Sequence, residues 1–304
     1  MKLAPGDGPS IRLVAPEQAR QFAHLTVPGL RAPLYEPADK DLCVAVAFDA
    51  TGEALGMAYG WGLPRQGAYE LVSIYVTPLL RGRGLASGLL RQVEEAFSRR
   101  GYTLGMAFYT VSEGDPALAR FLGARGWSGP RIRQYLCKGD LSRFCATPWF
   151  RVRTPKRFRI VDWHQLDSAA RHGIRQRQQA QPDWYAPDQD PFVFERGAHR
   201  ETSVAMLEGN RVVGWVLTHA VPLEGILRWT VSFVDPERAR AGHIVHLWQA
   251  AARRQLERTT WPYLSWGVPL HHRRMYRFVR ERMRPCLISE GYACTSWRRY
   301  PEPA

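Results

Sequence analysis

The segment Val76-Thr77-Pro78-Leu79-Leu80-Arg81-Gly82-Arg83-Gly84-Leu85-Ala86-Ser87 carries the residue types and spacing that speak most directly of chemistry. An apolar strand pattern ends at Val76, a short loop follows, and apolar residues at helical spacing begin at Leu85. Glycine at 82 and 84 permits positive φ and lets the backbone come close to a ligand. The loop amides and the first-turn N–H groups then converge on one point, and the helix dipole adds to their pull on an anion. The chemistry this suits is the binding of a phosphate or pyrophosphate. Glu70 opens the strand that leads into the loop. Between Tyr69 and Leu71 it is expected to be partly buried, which raises a carboxyl pKa toward values suited to taking a proton. Ser73 and Tyr75, on the same strand, are candidates to orient a water. Simple alternation puts both on the face of Leu71, opposite Glu70.

These residues need elements to position them. Residues 11–15, 42–49, 54–62, 69–76, 103–110 and 130–137 read as strands. Helical patterns run from Pro16 to His24, from Gly84 to Arg100 and from Asp115 to about Arg125. Asp115 is the expected N-cap of the last, with Pro116 at its first position. The second half repeats the order. It has strands at 158–163, 201–207, 211–220, 226–234 and 262–268, helices at 164–179, 243–258 and 271–283, and a closing strand within 287–300. The expected fold class is α/β (α+β), with two tandem domains, each a mixed, mostly antiparallel sheet flanked by helices. The predicted division is 1–145, a linker at 146–157 with two prolines and four basic residues, and 158–304.

Arg81-Gly82-Arg83-Gly84-Leu85-Ala86 resembles the pyrophosphate loop of the GCN5-related N-acetyltransferase (GNAT) superfamily, Q/R-x-x-G-x-G/A. Val76 and Pro78 stand where that family has its V-x-P lead-in, and the element order from 11 to 137 matches. The resemblance implies a splayed central strand pair that frees backbone groups of Ile74, Tyr75 and Val76 for pantetheine. It implies a pyrophosphate site at Arg81, Gly82, Arg83, Gly84, Leu85, Ala86 and Ser87, with acetyl-CoA or another acyl-CoA as co-substrate. It implies direct attack of an amine on the thioester, with a general base and a stabilised oxyanion. Glu70 lies 13 residues before Arg83, the spacing of the catalytic glutamate in histone acetyltransferases of the superfamily. Many members protonate the leaving thiolate with a tyrosine in a Y-x-K-x-G-F-like segment. Here that segment is Leu122-Gly-Ala-Arg-Gly-Trp127, with leucine in the tyrosine position, and Tyr109 is the nearest substitute.

Adding 158 aligns the second loop with the first. Val234 and Pro236 preserve the lead-in, but Ala239, Arg240, Ala241 and Gly242 replace Arg-Gly-Arg-Gly, Ile244 replaces Ala86, and Arg228 replaces Glu70. The second domain is expected to be a degenerate copy with a structural or substrate-binding role. Its segment 271–284 sets Arg273, Arg274, Arg277 and Arg280 on one side and Met275, Tyr276, Val279 and Met283 on the other. Tyr276, Phe278, Trp297 and Tyr300 are interleaved with this charge and could stack on bases. Two functional readings follow. The first is an acyl-CoA-dependent N-acyltransferase acting on a primary amine of a small molecule. The second, by analogy with GNAT-like enzymes that use aminoacyl-tRNA, makes tRNA or an acidic carrier protein the donor or acceptor, held by the basic half.

The net charge of +14 is uneven. Residues 1–150 hold 17 Lys/Arg against 13 Asp/Glu, and residues 151–304 hold 25 against 15, so the second half is the anion-attracting one. No apolar run has the length of a membrane span, and the opening MKLAPGDGPSIR lacks a signal-peptide h-region. Cys43, Cys137, Cys145, Cys286 and Cys294 are scattered, without a CxxC pair. A cytoplasmic protein with reduced thiols and no metal site is the expectation.

Overall fold

The computed structural model describes residues 9–37, 41–112 and 116–301. Asp115, the expected helix N-cap, and the first eight residues lie outside these. The chain forms two compact units, residues 1–133 with 293–304, and residues 134–292.

The first unit is a mixed sheet built from β1 (Ser10–Val14), β2 (Leu42–Phe48), β3 (Ala54–Leu63), β4 (Ala68–Val76) and β5 (Leu104–Ser112). The second half of β12 (Leu287–Arg299) and the first half of β6 (Ser128–Asp140) complete it, in the order β1-β2-β3-β4-β5-β12-β6. β1 to β4 are antiparallel, and β4 runs parallel to β5. One face is covered by a 3₁₀ segment, Pro16–Leu25, and the short α1 (Ala32–Tyr35); Ala19, Phe22, Ala23 and Leu34 pack there on Val44, Val46, Met57 and Tyr59. The other face is covered by α2 (Leu85–Arg99) and α3 (Ala117–Gly123). α2 buries Leu85, Leu89, Leu90, Val93, Ala96 and Phe97. Each fully buried large apolar side chain contributes roughly 1.5–3 kcal/mol. Packing on the sheet therefore outweighs the few tenths of a kcal/mol per residue by which helix propensities differ.

The second unit repeats this plan. β7 (Phe158–Asp162), α5 (Ser168–Ala180), β8 (Val204–Glu208), β9 (Arg211–Val221), β10 (Ile226–Val234), α6 (Pro236–Arg240), α7 (Ile244–Arg258), β11 (Tyr263–Pro269) and α8 (Arg273–Phe278) follow in chain order. Its sheet runs β7-β8-β9-β10-β11, then the second half of β6 and the first half of β12. Trp163, Ile174, Trp184, Trp215 and Phe233 fill one face; Phe144, Trp229, Leu247, Trp248 and Leu264 fill the other.

The compact units depart from the sequence division at 145 and 158. The pattern at 130–137 is the middle of a 13-residue strand whose two halves belong to different units, and β12 is divided in the same way. The segment 146–157, expected as a linker, carries packed residues. α4 (Leu141–Cys145) precedes it, and Thr147 and Phe150 are buried in the second unit's core with Trp149 against them. Its aromatics outweigh the exposure that its prolines and basic residues suggest. The basic helix at 271–283 is also shorter than expected: α8 ends at Phe278, and Val279–Met283 continues as a π-helical turn.

Candidate active site

β4 and β5 pair only from Ala68↔Leu104 to Leu71↔Ala107. From Ser73 to Val76 the strand stays paired with β3 alone among its two neighbours. A parallel pair that separates midway leaves backbone N–H and C=O groups of one edge without a ladder partner, the arrangement that accepts an extended ligand chain. Ile74, Tyr75 and Val76 lie on that stretch.

The loop follows at once. Thr77 is pinned to the Leu55 carbonyl by its amide and its hydroxyl, both at 2.9 Å. Arg81 donates from Nε to the Val76 carbonyl at 3.1 Å. Gly82 and Gly84 have φ of 79° and 85°, where any side chain would be strained, and a Cβ at either would meet only open space. The glycines therefore serve conformation and access, not internal packing. Arg81, Gly82, Arg83 and Gly84 are exposed, whereas Leu85 turns into the core. The helical ladder begins with the Gly88 amide donating to the Gly84 carbonyl at 3.1 Å. The amides of Leu85, Ala86 and Ser87 precede it and point out of the helix end without intrahelical acceptors. No side chain caps this end. The Ser87 hydroxyl accepts from Arg125, whose Nε lies 3.0 Å away, so an arginine stands beside the cradle. Its signal, Arg125 in the Leu122–Trp127 segment, passed unread in the sequence.

Tyr69, Leu71, Ile74 and Val76 belong to the α2-side cluster, whereas Val72 and Tyr75 pack on the opposite side. The β3–β4 register explains this. Tyr59 is opposite Ser73 and Gly60 opposite Leu71, so Val72 is an extra residue in a β-bulge. The bulge reverses the alternation, and Ser73 and Tyr75 share a face with Glu70. The expectation that they lie opposite Glu70 is thus corrected. The Ser73 hydroxyl is 2.8 Å from that of Thr26, at the end of the 3₁₀ segment, and Arg31 donates to the Thr26 carbonyl at 3.1 Å. Tyr59 donates to the Leu30 carbonyl, and burial first, with the Glu70 charge second, pushes its phenol pKa up. Glu70 is half-buried among these groups.

Tyr109 is not brought to that face. It packs on the α2 side and its hydroxyl lies 2.8 Å from Ser296 Oγ. Burial raises its pKa, which keeps the phenol protonated. Leu122, in the place of the family's tyrosine, is fully buried. A second polar group passed unread in the sequence: Glu94 of α2 accepts from Trp127 Nε1 at 2.9 Å, from Tyr300 at 2.8 Å and from Arg298 at 3.2 Å. The Tyr300 hydroxyl also meets that of Tyr69 at 2.8 Å. Its members are spread from 69 to 300, so no local pattern announces it.

The second unit copies the splay but not the cradle. β10 and β11 pair only from Ile226↔Tyr263 to Trp229↔Trp266, and a bulge at Thr230 matches that at Val72. Its loop, however, winds into α6, capped by Asp235, the counterpart of Thr77. Asp235 is 1% exposed and its carboxylate faces Arg177 at 2.7 Å, Arg211 at 3.1 Å and Arg238 at 3.3 Å. An internal carboxylate occupies the arginines there and caps the short α6, although α7, the counterpart of α2, also starts without a side-chain cap.

Arg273, Arg274, Arg277 and Arg280 are all exposed, while Val279 and Met283 are buried and Met275 and Tyr276 partly so. Three of the four aromatics expected to stack on bases are engaged in packing or hydrogen bonds instead. Tyr276 packs edge-on against Tyr135, Phe278 lies against Trp149 and Trp248, and Tyr300 is in the Glu94 network. The rings are half-buried by these contacts, and Arg273, Arg274, Arg277 and Arg280 are the more exposed side chains.

Residues 15–127 match the acetyltransferase (GNAT) family. A tandem GNAT protein from the clavulanic acid biosynthesis pathway is similar in structure, with a TM-score of 0.64 at 15% identity over 97% of this chain and 100% of that one. A GCN5-related N-acetyltransferase from Sphaerobacter thermophilus has a TM-score of 0.58 at 16% identity over 97% of each chain. No curated protein matches the chain by sequence. Among the described residues no helix is long and apolar enough to cross a membrane.

Proposed function

We propose that the first unit, whose residues 15–127 match the GNAT acetyltransferase family in a chain with the fold of a tandem GNAT protein, binds one acyl-CoA through residues 74–87 and passes its acyl group, acetyl in the simplest case, to a primary amine of a small molecule. The observation that carries this reading is the parting of β4 from β5 after Leu71↔Ala107, immediately ahead of the open glycine loop and the uncapped start of α2. Pantetheine pairs with the freed backbone of β4, and the pyrophosphate lies against the amides of the loop and of Leu85, Ala86 and Ser87, with Arg81, Arg83 and Arg125 supplying positive charge. The amine approaches from the Glu70 face. Glu70 removes a proton, directly or through a water held by Ser73, and the nitrogen attacks the thioester carbonyl. CoA leaves as a thiolate, a tolerable leaving group without a general acid; Tyr109 would serve as one only by leaving Ser296.

The second unit has Arg240 in the place of Gly82 and a loop wound into α6, which supports a structural or substrate-binding role for it. Isothermal titration with CoA is expected to find one site per chain, and Gly84→Asp to abolish it by setting a carboxylate against the pyrophosphate. A thermal melt of that variant separates lost binding from lost folding. Two sites of similar affinity would refute the assignment. The exposed arginines of α8 support a second reading, in which a polyanionic donor or acceptor, aminoacyl-tRNA or an acidic carrier protein, docks on the second unit.

A further inference from the structure

In the second unit, Asp188 in the 3₁₀ turn Pro187–Gln189 meets His271 and His272 in the turn that leads from β11 into α8. The ligand atoms of the three side chains lie within 4.8 Å of one another. Each histidine places its Nε2 3.5 Å from the same carboxylate oxygen, Asp188 Oδ2. The imidazole centroids are 4.1 Å apart. His272 Nε2 is buried and without a hydrogen-bond partner among the described residues.

A distance of 3.5 Å is longer than a charge-assisted hydrogen bond, which closes to about 2.7–2.9 Å. It fits a different geometry. Zinc holds imidazole nitrogen and carboxylate oxygen at about 2.0–2.2 Å, and a tetrahedral angle between two such bonds sets the ligand atoms roughly 3.4 Å apart. Both histidine–aspartate separations meet that spacing, and the orphaned His272 nitrogen gains a partner. Arg273 and Arg274 follow in the chain and are exposed. Their charge disfavours any cation, but a donor set of two imidazoles and one carboxylate matches a borderline ion better than a hard, oxygen-seeking one. We propose that Asp188, His271 and His272 form a binding site for one zinc ion, with a fourth position open to solvent. The ion joins the turn at 187–189 to the turn at 270–272 and so fixes the start of α8. Vicinal histidines with an aspartate 83 residues before the first of them match no local ligand spacing, which is why the sequence reading expected no metal.

The test uses the full chain, untagged, with Zn²⁺ competed against a chromogenic chelator. One ion per chain is expected, with affinity falling more than about tenfold in Asp188→Ala and in the exposed-site variant His271→Ala. Saturating Zn²⁺ should raise the thermal midpoint of the wild-type chain and not that of either variant. Co²⁺ substitution should give d–d absorption without a thiolate charge-transfer band, because the ligands are nitrogen and oxygen. Apo melts of the variants check that they fold. Absence of Zn²⁺ binding in the wild type, unchanged affinity in folded His271→Ala, or a thiolate band would overturn the site. CoA binding by the first unit does not enter any of these readouts.

Discussion

At the scale of single residues, the proposed chemistry turns on Glu70. The Val72 bulge places it with Ser73 and Tyr75, on the face where Thr26 and Tyr59 also lie. A general base contributes typically 10²–10⁴-fold, with less at stake where a water chain can substitute. Glu70→Gln is therefore expected to lower kcat by about 10²-fold with CoA affinity nearly unchanged, because the loop at 81–87 is untouched. A carboxylate base works only when ionised, so the acid limb of the wild-type pH profile is the part that depends on it. The glutamine variant should lose that limb and recover rate only at higher pH, as more of the amine deprotonates unaided. An unaltered rate and profile would move the base elsewhere. Glu70 and the glycines were legible in the sequence because their spacing is local. Thr26 and Arg125 were not, since each meets its partner only once the strands are paired and the helices laid on them.

At the scale of elements, the two loops after β4 and β10 show how one architecture can be opened or closed to an anion. The first leaves a helix end bare. The second leaves the start of α7 without a side-chain cap too, but winds the loop ahead of it into α6, where Asp235 caps the helix and gathers three arginines. Burial pushes the Asp235 pKa up, but the hydrogen bond and charge of Arg177, with Glu237's amide and Arg238, outweigh it and hold the pKa below the ordinary value. A folded-state pKa lowered in this way stabilises the unit fully above the unfolded value of about 3.9 and loses the contribution as pH falls through the folded one. Asp235→Asn leaves Arg177 and Arg238 without their shared acid, and breaking a buried pair by removing one partner costs about 3–5 kcal/mol. Urea denaturation at neutral pH should show that loss, and the gap to wild type should narrow in strong acid. A constant gap would mean that the carboxylate's charge is not what matters. The strands and α2 were readable from period-2 and period-3.6 patterns. The bulges were not, because the extra residue, Val72, is an ordinary strand former whose offset appears only against β3.

At the scale of the whole molecule, the duplication was legible and its seams were not. The chain changes unit after Arg133 and after Tyr292, each time within a strand, and nothing in β-branched or apolar content marks those points. The charge asymmetry was legible, but its use is a separate matter. Arg273, Arg274, Arg277 and Arg280 are exposed on the second unit, while the aromatic rings beside them are turned inward. A surface dominated by exposed arginines binds nucleic acid chiefly through phosphates, and such binding weakens steeply with salt through counterion release. Binding to aminoacyl-tRNA by this route is therefore expected to lack base preference and to have a strong salt slope. Filter binding of total tRNA at low and at physiological salt measures it. Arg273→Glu, Arg274→Glu and Arg277→Glu together should remove three phosphate contacts and reverse their charge, weakening binding at least 10-fold at low salt and flattening the slope by about three. CoA titration of the same variant should be unchanged, since the cradle at 81–87 belongs to the other unit. An acidic carrier protein would show the same dependence on the arginines with a shallower salt slope, because no condensed counterions are released from a folded protein surface. Failure of both polyanions to bind at low salt would leave these arginines as solvated surface and the small-molecule amine as the sole acceptor.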